Sequence, residues 1–309
     1  MAVSPTWTAG SPEPQRHPLV VNLPALPATP TAADLAALAP LPRDVLCALA
    51  LGAGPHPRTW VFHLLADPAL RAPESQRPTA EKVHEALRAL QRADWLQEDP
   101  RKPGFWQPAE PAFAVAYQSL LERVDKERLH TALAYADASG STVARRAGSW
   151  TYWSTEAAVA GLRLEVFSGA TPDQLRAFAS HMPWGVNGVE SLFEAAVFAV
   201  VVPGLFERLH AEVQLDVLAE ALGHLCASWQ HSLKLPVVAL SAERLARDHG
   251  LATQRLRAIY TEYLLLAGRA GELDEVLQPL EAVAATTAVG DAALGLNAVM
   301  LALRGAGAS

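Results

Sequence analysis

The sequence predicts a mainly α-helical protein with one short β-hairpin. Three observations carry that reading. Val83, Ala86, Leu87, Leu90 and Ala93 recur at helical spacing and put one apolar face on residues 79–94. Two short aromatic-bearing runs, Trp95 to Asp99 and Phe105 to Pro108, flank the turn Pro100-Arg-Lys-Pro-Gly104 and form a hairpin pattern. From residue 154 to the end, no stretch of useful length shows the period-two alternation of a half-buried strand.

The elements follow in order. Residues 1–42 carry nine of the 23 prolines, which fix φ and remove backbone donors, so residues 1–40 read as a Pro-rich arm, flexible except where an apolar side chain docks. Thr31 to Ala39 is a short helix within it, with Leu35 and Leu38 as the docking residues. Arg43 to Leu51 is the next helix, with Val45, Leu46, Leu49 and Ala50 as its core stripe. Gly52-Ala-Gly54-Pro55 ends it, and Pro57 to Ala66 follows with Trp60, Val61, Leu64 and Leu65 inward. His56 and His63 have no partner at ligand spacing and are expected at the solvent or the boundary. Asp67 to Pro78 is a long loop. Thr79 then caps the helix 79–94, its hydroxyl accepting from a first-turn N–H. Ala112 to Ala138 reads as one long helix, and Gly140-Ser-Thr breaks it. Arg145-Arg146 and Trp150-Thr-Tyr-Trp153 then make a basic, aromatic joint, either a seam between helices or a stacking platform for a single strand. Further helices are expected near Thr155–Ser168, Pro172–His181, Val189–Val202, Ala211–His231, Ser241–Gly250, Leu251–Leu266, Glu272–Thr286 and Asp291–Arg304. Short Gly turns join several of them.

Helix, helix, helix, hairpin over residues 41–125 resembles a winged helix-turn-helix domain. That resemblance implies binding to DNA or to protein. In the C-terminal part, Ile259 to Gly271 matches Asn297 to Gly307 in rhythm, with 36 residues from Gly271 to Gly307. Leu264-Leu-Leu-Ala-Gly-Arg-Ala-Gly-Glu-Leu-Asp-Glu-Val-Leu277 resembles the turn inside a tetratricopeptide repeat, so residues 126–309 are expected to be a TPR-like helical array. Asp291–Arg304 resembles the first helix of another repeat with no second helix after it, and the chain is expected to be the N-terminal piece of a longer protein. The combination is similar in arrangement to accessory N-terminal regions of large bacterial SNF2-type helicase-like ATPases. The alternative is a free-standing DNA-binding transcriptional regulator with a helical sensor domain. A reading frame continuing past Ser309 into helicase motifs would favour the first, and a stop codon the second.

Charge narrows the partners. With a net charge of −7 and a pI near 5.8, the chain lacks the basic balance of an indiscriminate nucleic-acid binder, so any DNA contact needs a local patch. The candidates are Lys82, Arg88 and Arg92 on the helix 79–94, with Arg101 and Lys102 on the hairpin tip. They are offset one for one by Glu81, Glu85, Asp94, Glu98 and Asp99. Glu81, Lys82, Glu85, Arg88 and Arg92 are expected to face outward. Acids lie toward the N-terminus of that helix and bases toward its C-terminus, as the macrodipole favours in any exposed helix. DNA-reading helices usually place polar or basic groups at the N-terminal end. The expected partner is a protein or a downstream domain of the same parent chain, with DNA as a possibility and no membrane.

No reaction is specified. There is no Gly-x4-Gly-Lys-Ser/Thr loop, no Gly-x-Gly-x-x-Gly turn and no Gly-x-Ser-x-Gly elbow. His224-x-Cys226-x4-His231 and the stripe Asp216, Glu220, His224 invite a metal reading. On a helix, however, Cys226 points away from both histidines, and Glu–His at i,i+4 is an ordinary surface pair. Cys47 and Cys226 are expected as reduced core thiols. No enzyme, no cofactor and no metal are expected within these 309 residues, and the default location is cytoplasmic.

Overall fold

The computed structural model describes residues 23–28, 30–73, 75–140, 152–180, 203–228, 244, 254–266 and 271. The described residues are mainly helical, with one small antiparallel sheet. Their elements are α1 (Ala32–Ala37), α2 (Pro40–Leu51), β1 (His56–Pro57), α3 (Arg58–Leu64), α4 (Ala80–Arg92), β2 (Leu96–Glu98), β3 (Phe105–Pro108), α5 (Glu110–Arg123), α6 (Lys126–Asp137), α7 (Thr155–Phe167), α8 (Pro172–Ser180), α9 (Pro203–Phe206), α10 (Ala211–Ser228) and α11 (Gln254–Leu266).

The centre of the N-terminal half is α2. Pro40 opens it, where a missing N–H costs nothing. From Val45 to Leu51 every residue is buried, so the helix is apolar on all sides and not along one stripe. α4, α5, α3 and β3 all pack against it. α4 has the expected Thr79 cap, with Thr79 Oγ1 accepting from Lys82 N at 3.3 Å. At its other end Asp94 takes a left-handed conformation (φ 62°), and Trp95 N donates back to Leu90 O at 3.0 Å, a six-to-one closure.

The hairpin forms, and a third strand joins it. β2 and β3 pair with Leu96 opposite Pro108 and Glu98 opposite Trp106. β1 lies on the other side of β3, with His56 opposite Trp106 and Pro57 opposite Phe105. This placement corrects the expectation for His56. It is only 7 % exposed, and its ring stacks on Trp60 at 3.7 Å and 11°. A side chain at Gly52 would meet the His56 ring at 2.3 Å, so this close approach requires glycine. His63 is half-buried, at the boundary as expected.

One expected helix is two. Val124 is extended (φ −123°, ψ 133°), and Asp125 caps a new helix by accepting from Arg128 N at 2.9 Å. The periodic apolar run 112–138 concealed the break. Bending the chain at Val124 buries that side chain and lets α6 lie against α3 and α7. The loop 67–78 also has structure of its own: Asp67 caps a single 3₁₀ turn, Pro68–Leu70.

The described part of the Pro-rich arm is docked. Trp95 Nε1 donates to Pro24 O at 2.8 Å, and Leu26 N donates to Ala93 O at 2.8 Å. Leu35 and Leu38 are buried as the sequence suggested, on a helix closed by a Thr31–Asp34 capping box.

The hydrophobic core runs without interruption from Leu35 to residues of α11. Across the expected boundary at 125–126, Arg163 of α7 donates to Gly52 O at 3.0 Å and lies 5.3 Å from the Phe113 ring centre. Burial lowers the pKa of the Arg163 guanidinium to about 10. α7, α8, α10 and α11 match expected helices to within a few residues, and α10 packs on α11. Arg145, Arg146, Trp150, the helices expected at 189–202, 241–250, 272–286 and 291–304, and most of the repeat lie outside the described residues, as do the side chains of Glu220, His224, Cys226 and His231. Among the described residues, no helix is long and apolar enough to cross a membrane.

Candidate functional site

The five candidate cations occupy one side of α4 and the hairpin tip, but they do not converge. Lys82 is exposed in the first turn of α4 and Arg92 in the last. Ten residues of helix separate them, roughly 15 Å along the axis. Arg88, midway, is committed within the fold. Its guanidinium donates to Gln91 Oε1 at 3.0 Å and pairs with Glu98 Oε2 at 3.4 Å. The same group lies 5.7 Å from the Trp106 ring centre.

Gln91 and Glu98 complete the tie between helix and hairpin. Gln91 Nε2 donates to Glu98 Oε2 at 3.1 Å, and Trp106 Nε1 donates to Gln91 Oε1 at 3.4 Å. Glu98 Oε1 accepts from Gly104 N at 2.6 Å across the turn. The Gly104 N–H, then Gln91 and Arg88, hold the Glu98 carboxyl below its ordinary range. Gly104 has φ 85°, a conformation that favours glycine.

Arg101 and Lys102 are exposed at the tip. Asp99 stands beside them, its Oδ1 accepting from Arg101 N at 2.8 Å. Lys102 Nζ lies 5.8 Å from the Phe105 ring centre. Of the residues expected to face outward on α4, Glu85 is half-buried and the other four are exposed. The face therefore mixes both signs, and its central cation is already paired.

A second feature was not visible in the sequence. A cavity of about 530 Å³ opens between the β1–α3 corner, the hairpin and the α6–α7 joint. Pro55, Pro57, Trp60, His63 and Phe105 supply its apolar and aromatic wall, with Lys102 and Glu156 as charged groups at its edge. Asp137 also lines it but is engaged: its carboxylate accepts from Trp153 N, Ser154 N and Ser154 Oγ. Trp153, next to this anchor, is the one large hydrophobic residue among those described that is exposed, at 67 %.

One constellation has the form of a proton relay. His130 Nδ1 lies 2.5 Å from the Tyr152 hydroxyl, and His130 Nε2 lies 2.9 Å from Glu165 Oε1. Lys126 Nζ donates to Glu165 Oε2 at 2.8 Å. Nucleophile, base and orienting acid occur in that order in hydrolytic sites. Here His130 and Tyr152 are each 1 % exposed, so a substrate has no access to the hydroxyl. The row instead pins the residue before Trp153 to α6 and α7. Among the described residues, no group of three or more His, Cys, Asp or Glu is placed to hold a metal ion. Cys47 is buried, and desolvation pushes its thiol up to about 12, which leaves it unreactive near neutral pH.

No protein-family model, curated protein or solved structure matches the chain.

Proposed function

We propose that the chain is a non-catalytic binding and scaffolding region. It consists of a winged-helix unit, spanning α2 to α5, followed by TPR-like helices, and it serves as an accessory region of a larger nucleic-acid-remodelling, helicase-like protein. The order α2–β1–α3–α4–β2–β3, with β1 completing a three-stranded antiparallel sheet, supports the winged-helix reading. The packing of α10 on α11 supports helical pairs in the C-terminal part. The α4–hairpin face engages a protein or another domain of its parent chain in preference to DNA. The observation that carries this is the Arg88–Glu98 tie on a face of balanced charge. A duplex binder needs several unpaired cations, since each neutralised phosphate contributes through counterion release.

The exposed pair Arg101–Lys102 favours the second reading, a DNA-binding regulator whose wing touches phosphates. Charge reversal separates the two. Arg101→Glu with Lys102→Glu should leave the low-salt affinity of the full chain for a 20-base-pair duplex unchanged within about twofold. A loss of two charge contacts, seen as a drop of tenfold or more, would move the assignment to DNA.

A further inference from the structure

We propose that the chain forms a twofold-symmetric homodimer in which Trp153 of each copy enters the other copy's cavity between β1–α3, the hairpin and the α6–α7 joint. This inference is independent of the partner assigned to the α4 face.

Knob and hole stand side by side on one copy. Trp153 is 67 % exposed, the one large hydrophobic side chain in that state among the described residues. Tryptophan is enriched among the few residues that carry the affinity of protein interfaces. The backbone of Trp153 is fixed at the cavity rim. Asp137, which lines the cavity, accepts from Trp153 N, Ser154 N and Ser154 Oγ. On the other side, His130 holds the Tyr152 hydroxyl. The indole thus projects from a segment tied at both flanks, and little ordering entropy is left to lose on docking. It does not line its own cavity, so its ring is open to a neighbour.

The cavity offers matching surface. Pro55, Pro57, His63 and Phe105 line it and are each half-buried, which leaves apolar and ring edges open. His56 and Trp60 also line it, but they are buried and stacked on each other, so they back the wall and do not receive the indole on an open face. At about 530 Å³ the cavity falls in the range that holds a drug-sized molecule, and it is ample for one indole.

Charge selects a second copy as the occupant. Lys102 and Glu156 both line the cavity and are exposed, and no ion pair is seen for either among the described residues. A surface that carries a knob, a hole, one cation and one carboxylate is self-complementary about a twofold axis, where every contact occurs twice. Lys102 of one copy then faces Glu156 of the other, and the reverse. Asp137, already accepting three bonds, is not needed as a partner. Each indole buries roughly 150–250 Å² at most. Stable interfaces bury about 1,200 Å² or more in total, so this dimer belongs to the weak, transient class.

Sedimentation equilibrium of the full chain from about 1 to 200 µM tests the proposal. The native chain should pass from monomer to dimer with a Kd on the order of 10 µM. Trp153→Ser, a change at an exposed side chain, should keep the circular dichroism spectrum and weaken association at least tenfold. Lys102→Glu alone and Glu156→Lys alone should each weaken it at least fivefold, because like charges then face each other twice. Mixed one to one, these two single variants should regain the dimer, because every charge pair across the mixed dimer is again of opposite sign. A native chain that stays monomeric at 200 µM overturns the proposal. Association that Trp153→Ser leaves unchanged overturns it too, since the chain then meets itself through another face. Failure of the mixture to regain the dimer overturns it as well.

Discussion

Leu87 is the residue whose loss should hurt the N-terminal half most directly. It is 0 % exposed on the inner face of α4, where that helix meets α2 and α3. Leu87→Ala removes three carbons. At about 0.8 kcal/mol per buried methylene the transfer loss is roughly 2.4 kcal/mol. α2 is buried on all sides and cannot move far to refill the space, so most of the vacated volume persists as a cavity. At about 24 cal/mol per Å³, a residual void of roughly 60 Å³ adds about 1.4 kcal/mol. The sum, about 4 kcal/mol, lies within the range of buried Leu truncations and converts to a fall in Tm of roughly 8–16 °C for a unit of this size. Urea melts of the full chain followed by far-ultraviolet circular dichroism measure it. Arg88→Ala, on the exposed side of the same helix, serves as the control and should cost about 1 kcal/mol, because its contacts to Glu98, Gln91 and the Trp106 ring are all made by a half-exposed side chain. Equal effects for the two variants, or a Leu87→Ala cost below about 0.5 kcal/mol, would show that α4 does not pack on α2 as described.

Three further outcomes are expected. Asp94→Gly should stabilise the fold by about 0.5–1 kcal/mol in the same melts, since glycine adopts the left-handed conformation at this helix end without strain. Trp95→Phe removes the donor to Pro24 O and also shrinks a fully buried indole to a phenyl ring, so it should cost about 2–4 kcal/mol and speed proteolytic cutting near residues 20–30. Burial pushes the Glu165 carboxyl up, but the bonds from His130 and Lys126 more than offset this and hold it below its ordinary value of 4.5. A carboxylate depressed in the folded state stabilises above its unfolded pKa, and that contribution is lost as pH falls through the folded value. The Tm gap between native chain and Glu165→Gln should therefore be full at pH 7 and shrink progressively below about pH 4.5. A constant gap from pH 7 to pH 3 would mean Glu165 has no charged role.

Local chemistry made part of the fold readable. Thr79 before an apolar-periodic run, and the Pro-Arg-Lys-Pro-Gly turn between aromatic pairs, signal a cap and a hairpin within a few residues. Leu35 and Leu38 stood out because they are apolar residues in a proline-rich setting. What escaped depends on contacts distant in sequence. β1 is two residues long and exists only because β3, about fifty residues later, offers it an edge, so His56 looked like a surface residue. The α5–α6 break was hidden because Val124 fits a helical stripe equally well whether the helix continues or turns. Asp125 followed by Lys-Glu-Arg was a cap signal that the apolar periodicity outweighed.

The candidate site divides the same way. All five cations were identifiable by type and position, and all five are exposed, four of them at the α4 ends and the hairpin tip. That Arg88 is spent on Glu98, Gln91 and Trp106 was not readable, because Glu98 and Trp106 lie on the hairpin strands beyond the end of α4 and meet Arg88 only through the fold. The groove lined by Trp60, Phe105 and Glu156 draws on three separated segments and leaves no periodic trace in the sequence.

The preference for protein over duplex at the α4–hairpin face is tested most directly by salt. Fluorescence anisotropy of a labelled 20-base-pair duplex, titrated with the full chain from 50 to 200 mM salt, gives the number of phosphates engaged from the slope of log K against log salt. With Arg88 paired and only Arg101 and Lys102 compact, the slope should be no steeper than about −2, with no saturable binding at physiological salt. A slope of about −5 or steeper, with submicromolar affinity at 150 mM salt, would contradict a partner-binding face and place DNA on α4.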